Sequence, residues 1–303
     1  MTYILTLIAN PENPVLSTAL AGEVASAVGS PEKPHWLARD IACDIILANA
    51  QPFDRTGVRT LAQTIVSSSP VDVAIQPCAH RRKCLLIADM DSTIIGQECI
   101  DELGAAFGLK SQIAEITTRA MNGELPFEDS LIHRVQLLKG LPKTALKEVF
   151  NTRITLNPGA KELVATMRAN GAYCALISGG FTYFTRRIAK MTGFDFNDAN
   201  TLLFDNGILN GDVARPILGR EAKLVALRKI RSERNLPKED VIAVGDGAND
   251  LAMLAEAGLG VAYHAKAKVA ETADVAIRYA DLTALLYLQG YKASEFTTVY
   301  RGE

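Results

Sequence analysis

The stretch that decides the fold is CLLIADMDSTIIGQE, residues 84–98, in which an apolar run ends at two aspartates. One methionine separates Asp89 from Asp91, so in extended backbone both carboxylates should point to the same side. Two like charges at this spacing repel each other, and removing them from water costs free energy. A buried strand that leads into such a pair therefore predicts a site in which a cation offsets the charge.

Two more apolar runs end in polar loops: ALISGG, residues 175–180, and IAVGDGAND, residues 242–250. Between and after them, short apolar runs alternate with amphipathic helical patterns, which is typical of a parallel α/β sheet. Because ligands bind beyond the carboxyl ends of parallel strands, the three polar loops should meet at one edge of that sheet. The predicted fold class is therefore α/β, with a Rossmann-like parallel core.

Residues 95–155 interrupt this core with four successive amphipathic helical patterns, which predicts an inserted helical cap. After the cap, the next helix is predicted to begin with Asn157 as its N-cap and Pro158 in its first turn. The four helices should cover the polar loops, because the insertion follows the first core strand directly.

Residues 1–80 are predicted to form a unit of their own, followed by a second domain over residues 81–303. The first unit shows strand and helix patterns in the order βαββαβ, typical of a small α+β ferredoxin-like sandwich, with residues 39–47 predicted as one strand. The basic stretch HRRK, residues 80–83, is predicted to be a solvated linker between the two.

The composition excludes several classes of protein. Hydrophobic residues make up 48% of the 303, charged residues 22%, and the formal net charge is −2, which gives no basis for nucleic acid or an anionic membrane as partner. No signal pattern and no apolar run of about 18 residues occurs, so a cytoplasmic location is expected. The five cysteines are scattered without a C-x-x-C pair, which favours free thiols over a disulfide framework or a zinc site.

Together the three polar loops supply what phosphoryl transfer needs. Carboxylate oxygens suit Mg²⁺, which often bridges to a substrate phosphate. Asp89 would attack phosphorus, and Asp91 would protonate the leaving group and then deprotonate water. Ser178, the Gly179 amide and Lys223 would hold phosphoryl oxygens. Each motif alone also has a structural explanation, such as a solvated turn or an exposed helix lysine, and only their joint occurrence favours catalysis.

The motifs DMDST, ISGG and GDGAND, together with Lys223, resemble those of the haloacid dehalogenase-like superfamily, and within it the phosphoserine phosphatases. The resemblance extends from Leu85 to about Ile277. It implies an aspartyl-phosphate on Asp89. It also implies a Mg²⁺ site formed by the Asp89 carboxylate, the Asp91 main-chain carbonyl, Asp246 and Asp250, with Asn249 in the same loop as a substrate ligand.

In the cap, the same resemblance assigns four residues to the amino-acid part of a substrate: Glu98, Met121, Phe127 and Arg134. Arg134 can pair with a carboxylate through two hydrogen bonds, and Glu98 can bind an ammonium group. The structural alternative for Arg134 is a surface ion pair with Glu128 or Asp129.

The activity that the resemblance implies is Mg²⁺-dependent hydrolysis of O-phospho-L-serine, the last step of serine synthesis. The alternatives are a phosphatase for another phosphorylated amino acid, such as phosphohomoserine, and a non-catalytic amino-acid sensor, which the complete set of acids disfavours. The N-terminal unit resembles ACT-like modules in its element order and would serve regulation or association, for instance in a homodimer. Because all the motifs follow Arg82, a chain that starts near residue 80 is expected to keep its activity.

Overall fold

The computed structural model describes residues 2–47, 54–121, 124–219 and 221–297. In chain order its strands are β1 Tyr3–Ala9, β2 His35–Ala38, β3 Ala42–Leu47, β4 Val71–Pro77, β5 Leu85–Ala88, β6 Tyr173–Phe181, β7 Phe196–Asn200, β8 Leu202–Asp205, β9 Ile208–Val213, β10 Val241–Gly245, β11 Leu259–Tyr263 and β12 Val275–Ile277. Its α-helices are α1 Thr18–Ala27, α2 Arg55–Ile65, α3 Cys99–Ala106, α4 Lys110–Met121, α5 Phe127–Leu137, α6 Lys143–Arg153, α7 Ala160–Ala169, α8 Thr182–Thr192, α9 Ala222–Glu233, α10 Leu251–Glu256, α11 Ala267–Thr272 and α12 Ala284–Leu288.

Six parallel strands form the core sheet in the order β12-β11-β10-β5-β6-β7. The four residues of β5 are all apolar and buried, as a strand covered on both faces requires, and β5 lies between β10 and β6. The loops after these three strands therefore leave the sheet side by side, where the strand order reverses. The predicted α/β class with a parallel core is confirmed.

The N-terminal sheet is antiparallel, in the order β2-β3-β1-β4, and has the predicted βαββαβ sequence of elements. Helices α1 and α2 pack on one face of this sheet around a separate apolar cluster that includes Leu5, Ile45 and Val73. The strand predicted over residues 39–47 is confirmed for residues 42–47 and wrong for the three residues before them. The chain turns at Asp40, whose φ of 59° is left-handed, because an aspartate tolerates this conformation better than most residues.

The second face of the N-terminal sheet packs against the core domain. Ile8 and Ala74 of this sheet belong to the same buried apolar cluster as Leu282 and Leu285 beside and within α12. The predicted solvated linker at residues 80–83 is wrong for two of its four residues. Arg81 bonds the Asp44 carboxylate, and Lys83, only 7% exposed, donates from Nζ to the Glu239 carbonyl at 2.6 Å.

Helices α3 to α6 form the inserted cap, as predicted. The chain that enters the cap and the chain that leaves it are paired, because Gly96 N–H donates to the Thr155 carbonyl at 3.1 Å. The expectation for Asn157 is wrong: α7 begins at Ala160, and the preceding residue Gly159 has a left-handed φ of 80°. The Asn157 side chain does not cap α7 but donates to the Thr93 carbonyl at 2.7 Å.

Two expectations from the composition can be compared with the structure. All five cysteines are free thiols, as the scattered spacing predicted. Among the described residues, no helix combines the length and the apolar character that a membrane span needs.

Candidate active site

Three carboxylates converge where β5 and β10 end. Asp89, Asp246 and Asp250 each place one carboxylate oxygen within 4.8 Å of the other two. Asp89 follows β5 directly, and its N–H donates to the Val244 carbonyl of β10 at 3.0 Å, which sets the two loops side by side. A Cβ atom at Gly245 would overlap the Asp250 carboxylate, so the close approach requires glycine. The predicted meeting of these loops is observed.

Lys223 lies against this cluster from α9. Its Nζ is 2.7 Å from Asp89 Oδ2 and 2.6 Å from Asp250 Oδ1, and the residue is only 3% exposed. Burial lowers the pKa of Lys223, but Asp250 and Asp89 outweigh burial and raise this pKa above its ordinary value. Lys223 is therefore a charged group of the site and not an exposed helix lysine.

The cluster keeps an excess of negative charge. Burial, opposed by Lys223 and aided by Asp250, raises the pKa of Asp89 well above its ordinary range. Burial and then Asp250 raise the pKa of Asp246 to about 6. Carboxylates whose ionisation is resisted in this way would be stabilised by a cation. Three carboxylate oxygens so close together, two of them from the buried Asp89 and Asp250, fit Mg²⁺, a hard cation that prefers oxygen ligands.

Asp91 bonds the loop after β6. Its Oδ1 accepts the Cys99 N–H at 2.9 Å, and its Oδ2 accepts the Ser178 hydroxyl at 2.9 Å. The extended backbone on which the prediction for this pair rested is absent, because β5 ends at Ala88 and a helical turn covers Met90–Ile94. That both carboxylates point to the same side stays a prediction.

The loop after β6 brings Ser178, Gly179 and Gly180 to Asp91. Ser178, only 1% exposed, accepts the Gly180 N–H at 2.8 Å. A Cβ at Gly180 would lie 2.7 Å from Asp91 Oδ2, so only glycine allows this contact. The ring of Phe127 in the cap lies over the same loop. A Cβ atom placed on Gly179 would be only 3.1 Å from that ring. Cap and core thus meet at the polar loops.

Glu98 and Arg134 supply opposite charges from the cap side. Glu98 accepts the Ser92 hydroxyl at 2.7 Å, and the residue as a whole is exposed. Desolvation of its carboxyl group beside the site, and then Asp91, raise its pKa to about 7. Arg134 is half-buried on α5 and donates from Nε to the Ser130 carbonyl at 3.2 Å. Burial lowers the pKa of Arg134.

Three carboxylates oppose the lowering of the Arg134 pKa, and in order of their effect they are Asp101, Glu98 and Asp91. Arg134 is thus near carboxylates of the cap and the core, and it forms no ion pair with Glu128 or Asp129.

Two further residues, Asn249 and Met121, were predicted to bind the substrate. Asn249 is half-exposed in the loop before α10, and its amide oxygen would overlap a Cβ at Gly247. Met121 is the last residue of α4, and its side chain lies outside the described part of the chain. Sequence reasoning missed two hydroxyls: Ser92, which bonds Glu98, and Thr93, which donates to Asp246 Oδ1 at 3.2 Å. Their position directly after Asp91 was the available signal.

Comparison with known proteins supports a relationship over most of the core domain. Residues 86–255 match the family model described as haloacid dehalogenase-like hydrolase. Phosphoserine phosphatase SerB2 of Mycobacterium tuberculosis is 39% identical over 241 residues, which are 79% of this chain but only 59% of that protein. The chain thus spans less than two thirds of that relative's length.

Solved structures extend the similarity to the N-terminal sheet. The crystal structure of the HAD family hydrolase t0658 from Salmonella enterica serovar Typhi has a TM-score of 0.84 and 30% identity, and the match covers 95% of this chain and 98% of that one. A phosphoserine phosphatase solved as a phospho-aspartyl intermediate analogue has a TM-score of 0.64 and 39% identity, over 68% of this chain and 98% of its own. The chain belongs to the haloacid dehalogenase-like hydrolase family.

Proposed function

We propose that the chain is a Mg²⁺-dependent phosphoserine phosphatase, which converts O-phospho-L-serine and water to L-serine and phosphate. The observation that carries this proposal is the pairing of two sites under one cap. Asp89 and Lys223 lie at the carboxylate cluster, and Glu98 and Arg134 approach from the cap with the opposite charges that an amino-acid head requires. The names of the relatives support the same substrate.

Substrate binding would use both halves of the site. Arg134 would pair with the substrate carboxylate, and Glu98 would accept the ammonium group. Met121 and Phe127 would enclose the substrate from the cap. In the core, the phosphoryl oxygens would be held by four groups: the Ser178 hydroxyl, the Gly179 N–H, the Lys223 ammonium and the Asn249 amide.

The first chemical step would be attack by an Asp89 carboxylate oxygen on phosphorus. The bond from phosphorus to the serine oxygen breaks, and Asp91 gives its proton to that oxygen, which leaves as the serine hydroxyl. The 2.7 Å ion pair with Lys223 favours the ionised, nucleophilic form of Asp89 and opposes the effect of burial on its pKa. The relative that was solved as a phospho-aspartyl analogue supports an aspartyl-phosphate at this position.

The second step would be hydrolysis of that aspartyl-phosphate. Asp91, now ionised, takes a proton from water, whose oxygen bonds to phosphorus while the bond to Asp89 breaks. Mg²⁺, held by Asp89, Asp246, Asp250 and the Asp91 main-chain carbonyl, would screen the repulsion between these carboxylates and the phosphate. The bond from Ser178 to Asp91 supports a phosphate-binding role for Ser178 beside the proposed acid-base group.

Phosphohomoserine, with one more methylene, is the closest alternative substrate, because it carries the same charged groups. A non-catalytic sensor remains disfavoured, since nothing in binding alone requires Lys223 to be buried against the would-be nucleophile. Residues 1–80 as a regulatory or association unit, a homodimer, a place in the cytoplasm and a role in serine synthesis remain predictions.

The test is phosphate release by the purified chain from phosphoserine, phosphothreonine, phosphohomoserine and p-nitrophenyl phosphate, each with Mg²⁺ and with EDTA. We expect kcat/KM to be highest for phosphoserine and release to stop in EDTA. A higher kcat/KM for phosphohomoserine would make that compound the preferred substrate in place of phosphoserine. Phosphate release that is unaffected by EDTA would contradict the role of the cation.

A further inference from the structure

The two linkers of the cap form a short ladder beside the carboxylate cluster. Besides the bond from Gly96 to Thr155, the Asn157 N–H donates to the Ile94 carbonyl at 2.9 Å. The Gln97 side chain closes the ladder at its cap end, because its Nε2 donates to Thr155 Oγ1 at 2.8 Å and its Oε1 accepts the Thr155 N–H at 2.9 Å. The residues that enter and leave the cap are therefore held in one register.

Asn157 connects this ladder to the site. Its amide Nδ2 donates to the Thr93 carbonyl at 2.7 Å, and the hydroxyl of the same threonine donates to Asp246 Oδ1 at 3.2 Å. Thr93 is completely buried, so its carbonyl would lose a bond in a place that water reaches poorly if the amide were removed. Asp246 is thus oriented by a threonine that is itself held by Asn157.

The backbone of Asn157 is fixed from the opposite side. The neighbouring Pro158 carbonyl accepts the Leu282 N–H at 3.1 Å, and a Cβ at Gly159 would lie 2.6 Å from the Thr283 nitrogen. Because the following loop is packed this closely, the Asn157 amide has little freedom to leave Thr93. The amide is also not used to cap α7.

We propose that Asn157 is a positioning residue for Asp246: through Thr93 it holds this carboxylate in the orientation that receives the cation. The identity of the cation as Mg²⁺ rests on the proposed function. Groups that orient a metal ligand typically change metal affinity by about tenfold to a hundredfold when they are removed. Asn157 acts one bond further away, so the lower end of this range applies.

The experiment measures Mg²⁺ binding to the full chain by calorimetry without substrate, and then kcat and KM as a function of Mg²⁺ concentration. For Asn157→Ala we expect the dissociation constant for Mg²⁺ to rise about tenfold, kcat to recover at saturating Mg²⁺, and KM for phosphoserine at saturating Mg²⁺ to stay unchanged. The matched control is Asn170→Ala, whose amide bonds the Thr166 carbonyl at 2.8 Å at the far end of α7 and should leave Mg²⁺ binding unchanged.

Thr93→Val and the double variant test the path itself. Because both residues act on Asp246 in series, Asn157→Ala should weaken Mg²⁺ binding no further in a chain that already carries Thr93→Val. Additive losses, or an unchanged dissociation constant in Asn157→Ala, would overturn the proposal. Should the alanine variant not fold by circular dichroism, Asn157→Leu, which has a similar size, lacks the donor and adds no charge, is measured with the same expectations.

Failure of the proposed function gives a different result. A wild-type chain that binds Mg²⁺ but does not hydrolyse phosphoserine would reject the activity and leave the effect of Asn157 on cation binding measurable.

Discussion

Arg81 and Asp44 form a buried ion pair with two hydrogen bonds, from Nη1 to Oδ2 at 2.7 Å and from Nη2 to Oδ1 at 2.8 Å. Their side chains are only 12% and 9% exposed. Arg81 also donates to the carbonyls of Tyr287 and Leu288 at the end of α12. One guanidinium thus joins the N-terminal sheet, the linker and the C-terminal part of the core domain.

Replacing Arg81 should destabilise the chain strongly. Arg81→Ala leaves the Asp44 carboxylate buried without its partner, and breaking such a pair typically costs about 3–5 kcal/mol of unfolding free energy. The measurement is urea unfolding followed by circular dichroism. Arg153→Ala is the control, because its pair with Glu102 is 42% and 29% exposed and should contribute about 0–1 kcal/mol. Equal losses of unfolding free energy in both variants would show that the buried pair stabilises the chain no more than the exposed pair does.

The second prediction concerns the N-terminal unit as a whole. A chain of residues 80–303 keeps all four aspartates of the site, so it should retain Mg²⁺-dependent phosphatase activity when folded. It should nevertheless unfold at lower urea concentration, because removal of the sheet exposes Leu282 and Leu285 and leaves Arg81 without Asp44. Circular dichroism, turnover and light scattering on both chains test this. A folded but inactive truncated chain would show that residues 1–80 help to order the site.

Loss of the nucleophile should abolish turnover without unfolding the chain. Asp89→Asn removes the attacking oxygen anion, so kcat should fall on the order of a thousandfold or more. Lys223 keeps its 2.6 Å pair with Asp250, which is why we expect the variant to fold normally. Asp205→Asn, at an exposed hairpin position, is the control and should leave kcat unchanged. Substantial activity of Asp89→Asn would exclude the covalent scheme.

Arg134 should discriminate between substrates by their carboxylate. Arg134→Ala should lower kcat/KM for phosphoserine by roughly a thirtyfold to several-thousandfold factor, the equivalent of about 2–5 kcal/mol for a desolvated charged pair. Turnover of p-nitrophenyl phosphate, which lacks a carboxylate, should change little. The control is Arg119→Ala, an exposed cap arginine that pairs with Glu124 at 3.6 Å. Similar losses on both substrates would mean that Arg134 supports the cap fold.

The protonation of Glu98 should make phosphoserine binding depend on pH. Desolvation and Asp91 raise the pKa of Glu98 to about 7, and only the ionised form attracts an ammonium group. KM for phosphoserine, relative to p-nitrophenyl phosphate, should therefore rise by up to about tenfold per pH unit as pH falls below that value. Glu98→Gln should show a high KM that no longer changes with pH. A pH-independent ratio in the wild type would exclude Glu98 from ammonium binding.

The raised pKa of Glu98 should also make the free energy of unfolding depend on pH. The pKa of Glu98 is raised in the folded chain from an ordinary value of 4.5, so folding disfavours the ionised form. Its contribution to the free energy of unfolding should rise as pH falls from about 7 toward 4.5, because the folded chain binds the proton first. Glu98→Gln should remove this contribution, which urea unfolding at several pH values can measure.

The sequence predicted best where a local pattern determines the structure. The runs that became β5, β6 and β10 are apolar and end in polar loops, so both the parallel sheet and the meeting of its loops followed from pattern alone. Strand β7, with the sequence FNDAN, went unpredicted because a polar edge strand shows no apolar run. The N-cap prediction for Asn157 was wrong for another reason: an Asn-Pro pair before a helical pattern is the usual signal of an N-cap.

Side-chain contacts between residues that are far apart along the chain could not be predicted from the sequence. Arg81 and Lys83 lie in a basic stretch whose composition favours solvent exposure, and their partners Asp44 and Glu239 are far away along the chain. Likewise, the hydroxyls of Ser92 and Thr93 gain their roles only when the turn at Ser92, with φ of 54°, directs them to Glu98 and Asp246. Side-chain partners of this kind follow from the folded backbone.

The ladder between the cap linkers has an evolutionary consequence. Because the chain leaves the core at Gly96 and returns to it at the adjacent Thr155, the sheet would close in the same way around a cap of another length or composition. Under the proposed function, changes in helices α3 to α6 would alter which head group is admitted while the aspartates under the cap keep their geometry. Substrate range and bond-breaking chemistry would then be encoded on separate parts of the chain, so that one could diverge while the other stays fixed.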